Sequence, residues 1–444
     1  MEYVIVAIVA MLLVGTVHLT VEAEAVGRVL PVLLVAFAVR LAVQLLVMQN
    51  HVITYGGDNM TYEARAMEVM AFWKSEGFRF VTSEDIPSLY AAAIPCNAFA
   101  LVLYLCGGPA PLGCTALVAF LACALCLVIY RFAILVGADR ASSLRLMTLT
   151  AFMPAFLLHT SDMFKDGFNA FLVVACLALG LSNLRRFDLR KVALLAVTMW
   201  ALWYVRPYMV FMCAMPVALG FAGLKRAFSV RALLVVAALI AVLPFADLGE
   251  APPVEAMQEQ LDYGQSELVR RGNAIGGSGV TFDDGGNPWN QLGPKLMYTL
   301  FSPFPWTGGS LALQLGKIEV LVWYFLLFCA VRGAVRLWRE DRMTACFLLL
   351  FVIPGTVVYA TTMANVGLIF RQRMPIVMIT SLLAAVAWCR QVPDEPSERP
   401  RPESEPDPEP ALEPDTEPAL AADTEPALEA DTEGRPPLPE GALR

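Results

Sequence analysis

Residues 159–167 read HTSDMFKDG and set His159, Asp162, Lys165 and Asp166 between two long apolar runs. Charge in such a setting is costly unless it meets water or a partner, so these residue types call for a use. Carboxylates can accept a proton or hold a cation, and an amine at a helix start can meet an anion. Ser161 is read as the cap of a helix that sets Asp162 and Asp166 four residues apart on one face, with Lys165 beside them; ion pairing at a membrane surface is the plainer reading. YGGDNMTYEARA, residues 55–66, has the same character. Gly56 and Gly57 break the chain, Asp58 begins an amphipathic helix, and Tyr62 shares its face one turn later. A carboxylate at a helix start can cap it and can equally serve as general base toward a hydroxyl.

Basic residues complete the set. Arg206 in WYVRPY, and Arg371 and Arg373 in FRQRMP, stand at the ends of apolar runs rather than in long hydrophilic loops. Guanidinium matches phosphate oxygens in a bidentate fork, so these three are candidates for holding a phosphate. Arg40 lies near the middle of VAFAVRLAVQLL, where insertion scales assign a cost of about 2.5–3.5 kcal/mol. It therefore requires a buried partner: an acid, backbone carbonyls or the phosphate of a bound lipid.

The elements that position these residues are membrane helices. The chain has 444 residues, is 57% hydrophobic and only 16% charged, with mean hydropathy +0.60, which selects an all-α polytopic membrane protein. About eleven spans are predicted: the first run near the N-terminus, then 29–49, 112–131, 144–160, 167–182, 191–206, 208–223, 231–247, 317–336, 343–362 and 374–389. IPSLYAAAIPCNAFALVLYLCGG, 86–108, is predicted to re-enter or lie at the interface, and a twelve-span alternative would have it cross. All ten cysteines sit in apolar stretches, and Cys123 with Cys126 reads as helix packing. No metal-binding signature is present.

Three regions follow: an extra N-terminal helix over 1–24, a body over 25–393 with external loops 50–111 and 248–316, and an acidic tail over 394–444. The tail holds 16 of the 40 acids and 4 of the 32 bases, and DTEPAL recurs in it, so it is expected to be disordered. Dense Lys/Arg loops at 130–145, 185–191, 224–231 and 335–342 are expected to face the cytoplasm. Counting helices from them places the N-terminus and all candidate site residues outside and the C-terminus inside, in a cell (inner) membrane. The long 248–316 loop invites a substrate-covering role, while its aromatics Phe301, Phe304 and Trp306 read as interface residues.

Taken together, an Arg-bearing span followed by GGDNMTYEARA, then AFMPAFLLHTSDMFKDG, then FRQRMPIVMI resembles the GT-C superfamily of membrane glycosyltransferases, which includes protein O-mannosyltransferase and lipid A aminoarabinose transferase relatives. The resemblance covers roughly 25–390. It implies inverting transfer of a sugar from a polyprenyl-phosphate-linked donor to a glycan, lipid or protein acceptor on the external face. By that analogy Asp58 is the base, Asp162 or Asp166 the second acid, and Lys165, Arg206, Arg371 and Arg373 stabilise the departing phosphate, with Tyr62 and His159 lining the substrate site. The second loop reads DMFKD rather than DxD or DxE, so no cofactor is assigned and a divalent cation is the one candidate. Membrane lipids are the expected surroundings, the acidic tail is a candidate docking segment, and no nucleic-acid partner is expected. A polysaccharide polymerase or ligase, and a transporter or lipid-linked-sugar flippase, are the rival readings.

Overall fold

A backbone removed from water must satisfy its own hydrogen bonds, and apolar runs of this length do so by winding into helices. The computed structural model describes residues 1–50, 52, 58–223, 265–267, 279–285, 287, 289–308, 311–362 and 364–389. All of them belong to one compact unit, Met1–Arg390. Every extended regular element among them is helical, apart from one isolated bridge between Gly279 and Asn365. The predicted span 231–247 and the acidic tail 394–444 lie outside the described residues.

In chain order, α1 is Glu2–Thr20 and α2 is Ala23–Val43, prolonged by a π-helical stretch, Gln44–Met48. Next come α3 (Asp58–Glu76), α4 (Ala93–Cys106) and α5 (Pro111–Val136). They are followed by α6 (Arg140–Ala151), α7 (Pro154–His159), α8 (Asp166–Arg185), α9 (Leu189–Trp203) and α10 (Pro207–Gly223). The C-terminal part holds α11 (Leu292–Phe301), α12 (Leu311–Glu340), α13 (Arg342–Thr361), α14 (Val366–Gln372) and α15 (Met374–Ala387).

The chain is a polytopic α-helical membrane protein, and the described residues, which leave out 231–247, do not reach eleven spans. Six helices are long and apolar enough to cross a bilayer, and α14 with α15, bent by 55°, would make a seventh. The predicted span 144–160 is two helices. Pro154 lacks an N–H and pushes the residue before it out of helical geometry, so α6 stops at Ala151 and α7 restarts at Pro154. At 86–108, α4 has 14 residues and is about 21 Å long, less than the hydrocarbon thickness, and Gly107 ends it in the left-handed conformation with φ 78°.

α5 is the hub, packed against α1, α2, α6, α8 and α15. Lipid gives helices little hydrophobic reason to associate, so close packing must come from small side chains. α5 supplies them: Ala116, Ala119, Ala122, Cys123, Cys126 and Ala133 are all buried. Cys123 even approaches the Leu33 carbonyl at 3.5 Å, which supports reading this cysteine pair as packing. The tightest crossing is between α12 and α15, where Gly333 stands directly over the Leu383 carbonyl.

The helices also sort charge to their ends. At one end Arg140 pairs with Glu22 and Glu24, the Asp139 N–H meets Cys389, Arg336 donates to the Cys389 carbonyl and pairs with Glu340, and Arg185 pairs with Asp341. These contacts join the ends of α5, α8, α12 and α15 with the turn between α1 and α2. α8 then runs about 28 Å from Arg185 to Asp166, which lies at the opposite end with the acid-bearing loops.

A Cβ at position 333 would lie 1.7 Å from the Leu383 oxygen, so Gly333→Ala must force the α12 and α15 backbones apart. The expected cost is at least about 1–3 kcal/mol, read as a lower apparent melting temperature in detergent. Gly15→Ala in α1, where nothing lies within 4 Å, should not destabilise.

Candidate active site

The local fold of HTSDMFKDG depends on a residue far away in sequence. Arg40 of α2 is fully buried; its Nε donates to Thr160 Oγ1 at 2.8 Å, Nη1 to the Ala36 carbonyl at 2.9 Å and Nη2 to the Ala151 carbonyl at 3.1 Å. Its guanidinium also lies 5.0 Å from the Phe156 ring centroid. The required partner of Arg40 is therefore the broken α6–α7 helix, whose freed carbonyl and threonine it satisfies. From the other side Glu319 of α12 accepts the Ala155 N–H at 2.5 Å, holding the start of α7.

Between α7 and α8 the chain turns instead of continuing as helix. Ser161 donates to the Leu157 carbonyl at 2.6 Å and does not cap α8, which begins at Asp166. Asp162 and Asp166 are consequently not one helical turn apart as the sequence suggested. Asp162 Oδ1 accepts the Met163 N–H at 2.7 Å, and this local bond competes with helix formation.

Eight of the nine sequence-predicted residues meet around this turn, in two ion pairs and the groups beside them. Asp166 Oδ1 takes Arg206 Nη2 at 2.7 Å, with the two side chains 7% and 8% exposed. Asp58 Oδ2 takes Arg371 Nη1 at 2.6 Å, and here the exposures are 44% and 17%. Tyr62 feels both pairs, Asp166 and Arg206 as well as Asp58 and Arg371, and burial pushes its phenol well above the usual range. Asp162 Oδ2 accepts from Asn59 Nδ2 at 2.9 Å, which ties the start of α3 to the turn; burial raises its carboxyl above the ordinary carboxylate range.

Lys165 Nζ donates to the Ala91 carbonyl at 2.9 Å. Ala91 has φ 53°, a left-handed conformation uncommon for a residue with a Cβ, so this bond helps hold a strained turn against the site. Burial, then the Arg206 charge, lowers the amine to about 8. His159 is buried, donates from Nδ1 to the Ala155 carbonyl at 2.7 Å and packs on Phe164, within electrostatic reach of Arg371, Asp166 and Asp58.

Arg373 is the exception. Asn365 caps α14 by accepting the Leu368 N–H at 3.1 Å, and α14 carries Arg371 into the site. Arg373, two residues on, points elsewhere: Nη1 donates to the Thr299 carbonyl at 2.6 Å, and the guanidinium sits 5.0 Å from the Phe370 ring. It is a buried clamp on α11 rather than a member of the cluster.

Two residues not expected from sequence also belong to the site: Asn59, which reaches Asp162, and Tyr208, whose hydroxyl lies 3.2 Å from Arg206 Nη1. Asn59 adjoins Asp58 and Tyr208 stands in the same RPY, so adjacency to a charged candidate was the available signal. Glu319, a lone acid in an apolar run, was also readable as a residue with a buried task. Trp306 is 80% exposed and stacks on Phe304, compatible with the interface reading. Among the described residues no three His, Cys, Asp or Glu side chains come together as a metal ligand set. The carboxylates of Asp58, Asp162 and Asp166 are instead engaged by Arg371, Asn59 and Arg206.

The arrangement can accept a proton at a partly exposed carboxylate and neutralise an anion at adjacent cations. Removing Arg206 would leave Asp166 buried and uncompensated, so Arg206→Ala should cost about 3–5 kcal/mol of stability. Arg371→Ala, whose partner is accessible to water, should cost less than about 1 kcal/mol. Apparent melting temperatures of the two purified variants measure the difference.

No family model matches the chain, and no curated protein matches it. Among solved structures it is similar to the archaeal oligosaccharyltransferase AglB from Archaeoglobus fulgidus in complex with an inhibitory peptide and a dolichol-phosphate, at 14% identity over 81% of this chain and 50% of that one, with TM-score 0.45. It is also similar to the Archaeoglobus fulgidus oligosaccharyltransferase tethered with an acceptor peptide, at 14% identity, 81% and 49% coverage and TM-score 0.46. The chain spans about half the length of these structures.

Proposed function

We propose that the chain is a membrane glycosyltransferase of GT-C type that moves a sugar from a polyprenyl-phosphate-linked donor to an acceptor hydroxyl on the external side of the membrane, with inversion. The observation that carries this reading is the meeting of Asp58, Asp162, Lys165, Asp166, Arg206 and Arg371 from four separate segments at one end of an apolar helix bundle. Transfer from a phosphate-linked sugar needs a base near the acceptor and positive charge near the departing phosphate, and the cluster supplies both. The bilayer delivers the donor laterally.

In the proposed reaction Asp58 takes the proton of the acceptor hydroxyl as its oxygen bonds to the anomeric carbon. The bond from that carbon to the phosphate oxygen breaks, and its electron pair leaves with the phosphate. Arg371 and Lys165 receive the charge. Arg206, fixed by Asp166 in a buried ion pair, is held behind them. Asp162, turned toward Asn59, positions α3 and thereby Asp58. A single displacement of this kind inverts the anomeric centre.

The functional test is sugar release or transfer from a radiolabelled polyprenyl-phosphate sugar in membranes. Asp58→Asn and Arg371→Ala should each lower the rate by about 10²-fold or more. The wild-type rate should fall as the pH rises through about 8, where Lys165 passes from cation to neutral amine. Undiminished turnover in both variants would remove this site assignment.

Orientation has its own check. The positive-inside bias assigns the Arg140, Arg185 and Arg336 end to the cytoplasm and the acid-bearing end to the outside. With Cys106, Cys346 and Cys389 replaced, Ser75→Cys should react with an impermeant thiol reagent added to intact cells. Arg190→Cys should react only after permeabilisation. Both positions are exposed, so access to reagent decides the outcome.

A further inference from the structure

The two ion pairs of the site differ in a way that matters for binding. Asp166–Arg206 is closed off from solvent on both sides, whereas Asp58–Arg371 combines a carboxylate that is 44% exposed with a guanidinium that is 17% exposed. The buried pair cannot open without stranding a charge. The accessible pair can, because water solvates the exposed carboxylate while an incoming anion takes its place on the guanidinium.

From this contrast we infer that the Asp58 carboxylate is an internal stand-in for the donor's phosphate: it occupies the anion position on Arg371 until a lipid-linked phosphate displaces it. This rests on the function proposed above. A carboxylate and a phosphate present similar oxygen geometry to a guanidinium, so one Arg371 fork serves either anion in turn. The exchange trades one charge-assisted contact for another and is close to balanced.

Two consequences follow. While Asp58 is bound to Arg371, its Oδ2 is held by the guanidinium. Donor binding releases that oxygen, so a bound donor makes the whole carboxylate available to the acceptor's proton. Asp58 also competes with the donor, so its removal helps binding while it lowers transfer. A base with no such tie would leave donor affinity unchanged when neutralised, and a residue that held the donor would weaken it.

The experiment measures equilibrium binding of fluorescent polyprenyl monophosphate to the full-length protein in nanodiscs, with inorganic phosphate as a soluble competitor. Asp58→Asn should tighten binding about fivefold relative to wild type, and Asp58→Asn combined with Arg371→Ala should lose the gain. Glu63→Gln removes the same charge from the same helix and should shift affinity by less than about twofold. Unchanged or weaker binding by Asp58→Asn would overturn the inference, as would an equal gain from Glu63→Gln, which would mean bulk electrostatics. Displacement by inorganic phosphate at matching concentrations would assign the position to free phosphate and overturn the lipid-linked ligand. Wild-type protein that binds no polyprenyl phosphate would fail the function reading itself, an outcome distinct from normal binding without an Asp58 effect.

Discussion

A guanidinium withdrawn from water in the middle of an apolar span must find its hydrogen-bond acceptors inside the protein, and the structure around the site depends on how Arg40 does so. A helical carbonyl has one spare lone pair, which Ala36 lends to Arg40, but the other two nitrogens need acceptors of the kind an interrupted helix exposes. The Pro154 break provides them: the Ala151 carbonyl and Thr160 receive two of its nitrogens, and Ala36 a third. The break and the arginine satisfy each other. The result fixes where the chain turns after His159 and hence where Asp162, Lys165 and Asp166 stand.

Around that turn the charges divide by accessibility. Asp166 and Arg206 are locked together away from solvent, and Asp162 is held by Asn59, so these groups shape the site without changing partners. Asp58, Arg371 and Lys165 are the members with oxygen or nitrogen partners that an incoming ligand could replace. A rigid set of charges with a smaller exchangeable set in front of it suits a reaction in which negative charge appears on one atom and disappears from another. Such preorganisation avoids reorienting solvent during the reaction.

Much of this was legible in the sequence because charge in an apolar chain is conspicuous. Asp58, Tyr62, Lys165, Asp166, Arg206 and Arg371 were each identifiable from type and setting, and helix counting put them at one end. What the one-dimensional pattern withheld was rotation and interruption. Arg371 and Arg373 looked equivalent, although residues two apart on a helix differ by about 200° and cannot share a face. The 144–160 run looks continuous because its apolar content carries across the break, while Pro154, the physical cause of the break, lies inside it. Ser161 had the right chemistry for a cap, but Thr160 and Arg40 fix the turn before a helix can start there. Pairings such as Asn59 with Asp162, separated by 103 residues, are set by tertiary packing and have no local signature.

The divergence of Arg371 and Arg373 has mechanical content. α14 is seven residues long, with its Arg371 directed to the carboxylate of α3 and Arg373, the residue that ends it, anchored on the Thr299 carbonyl of α11. A short rod gripped at both sides transmits displacement with little loss. Any contact that shifts α11 would therefore be felt as a rotation of the rod, and the charge facing α3 would swing with it.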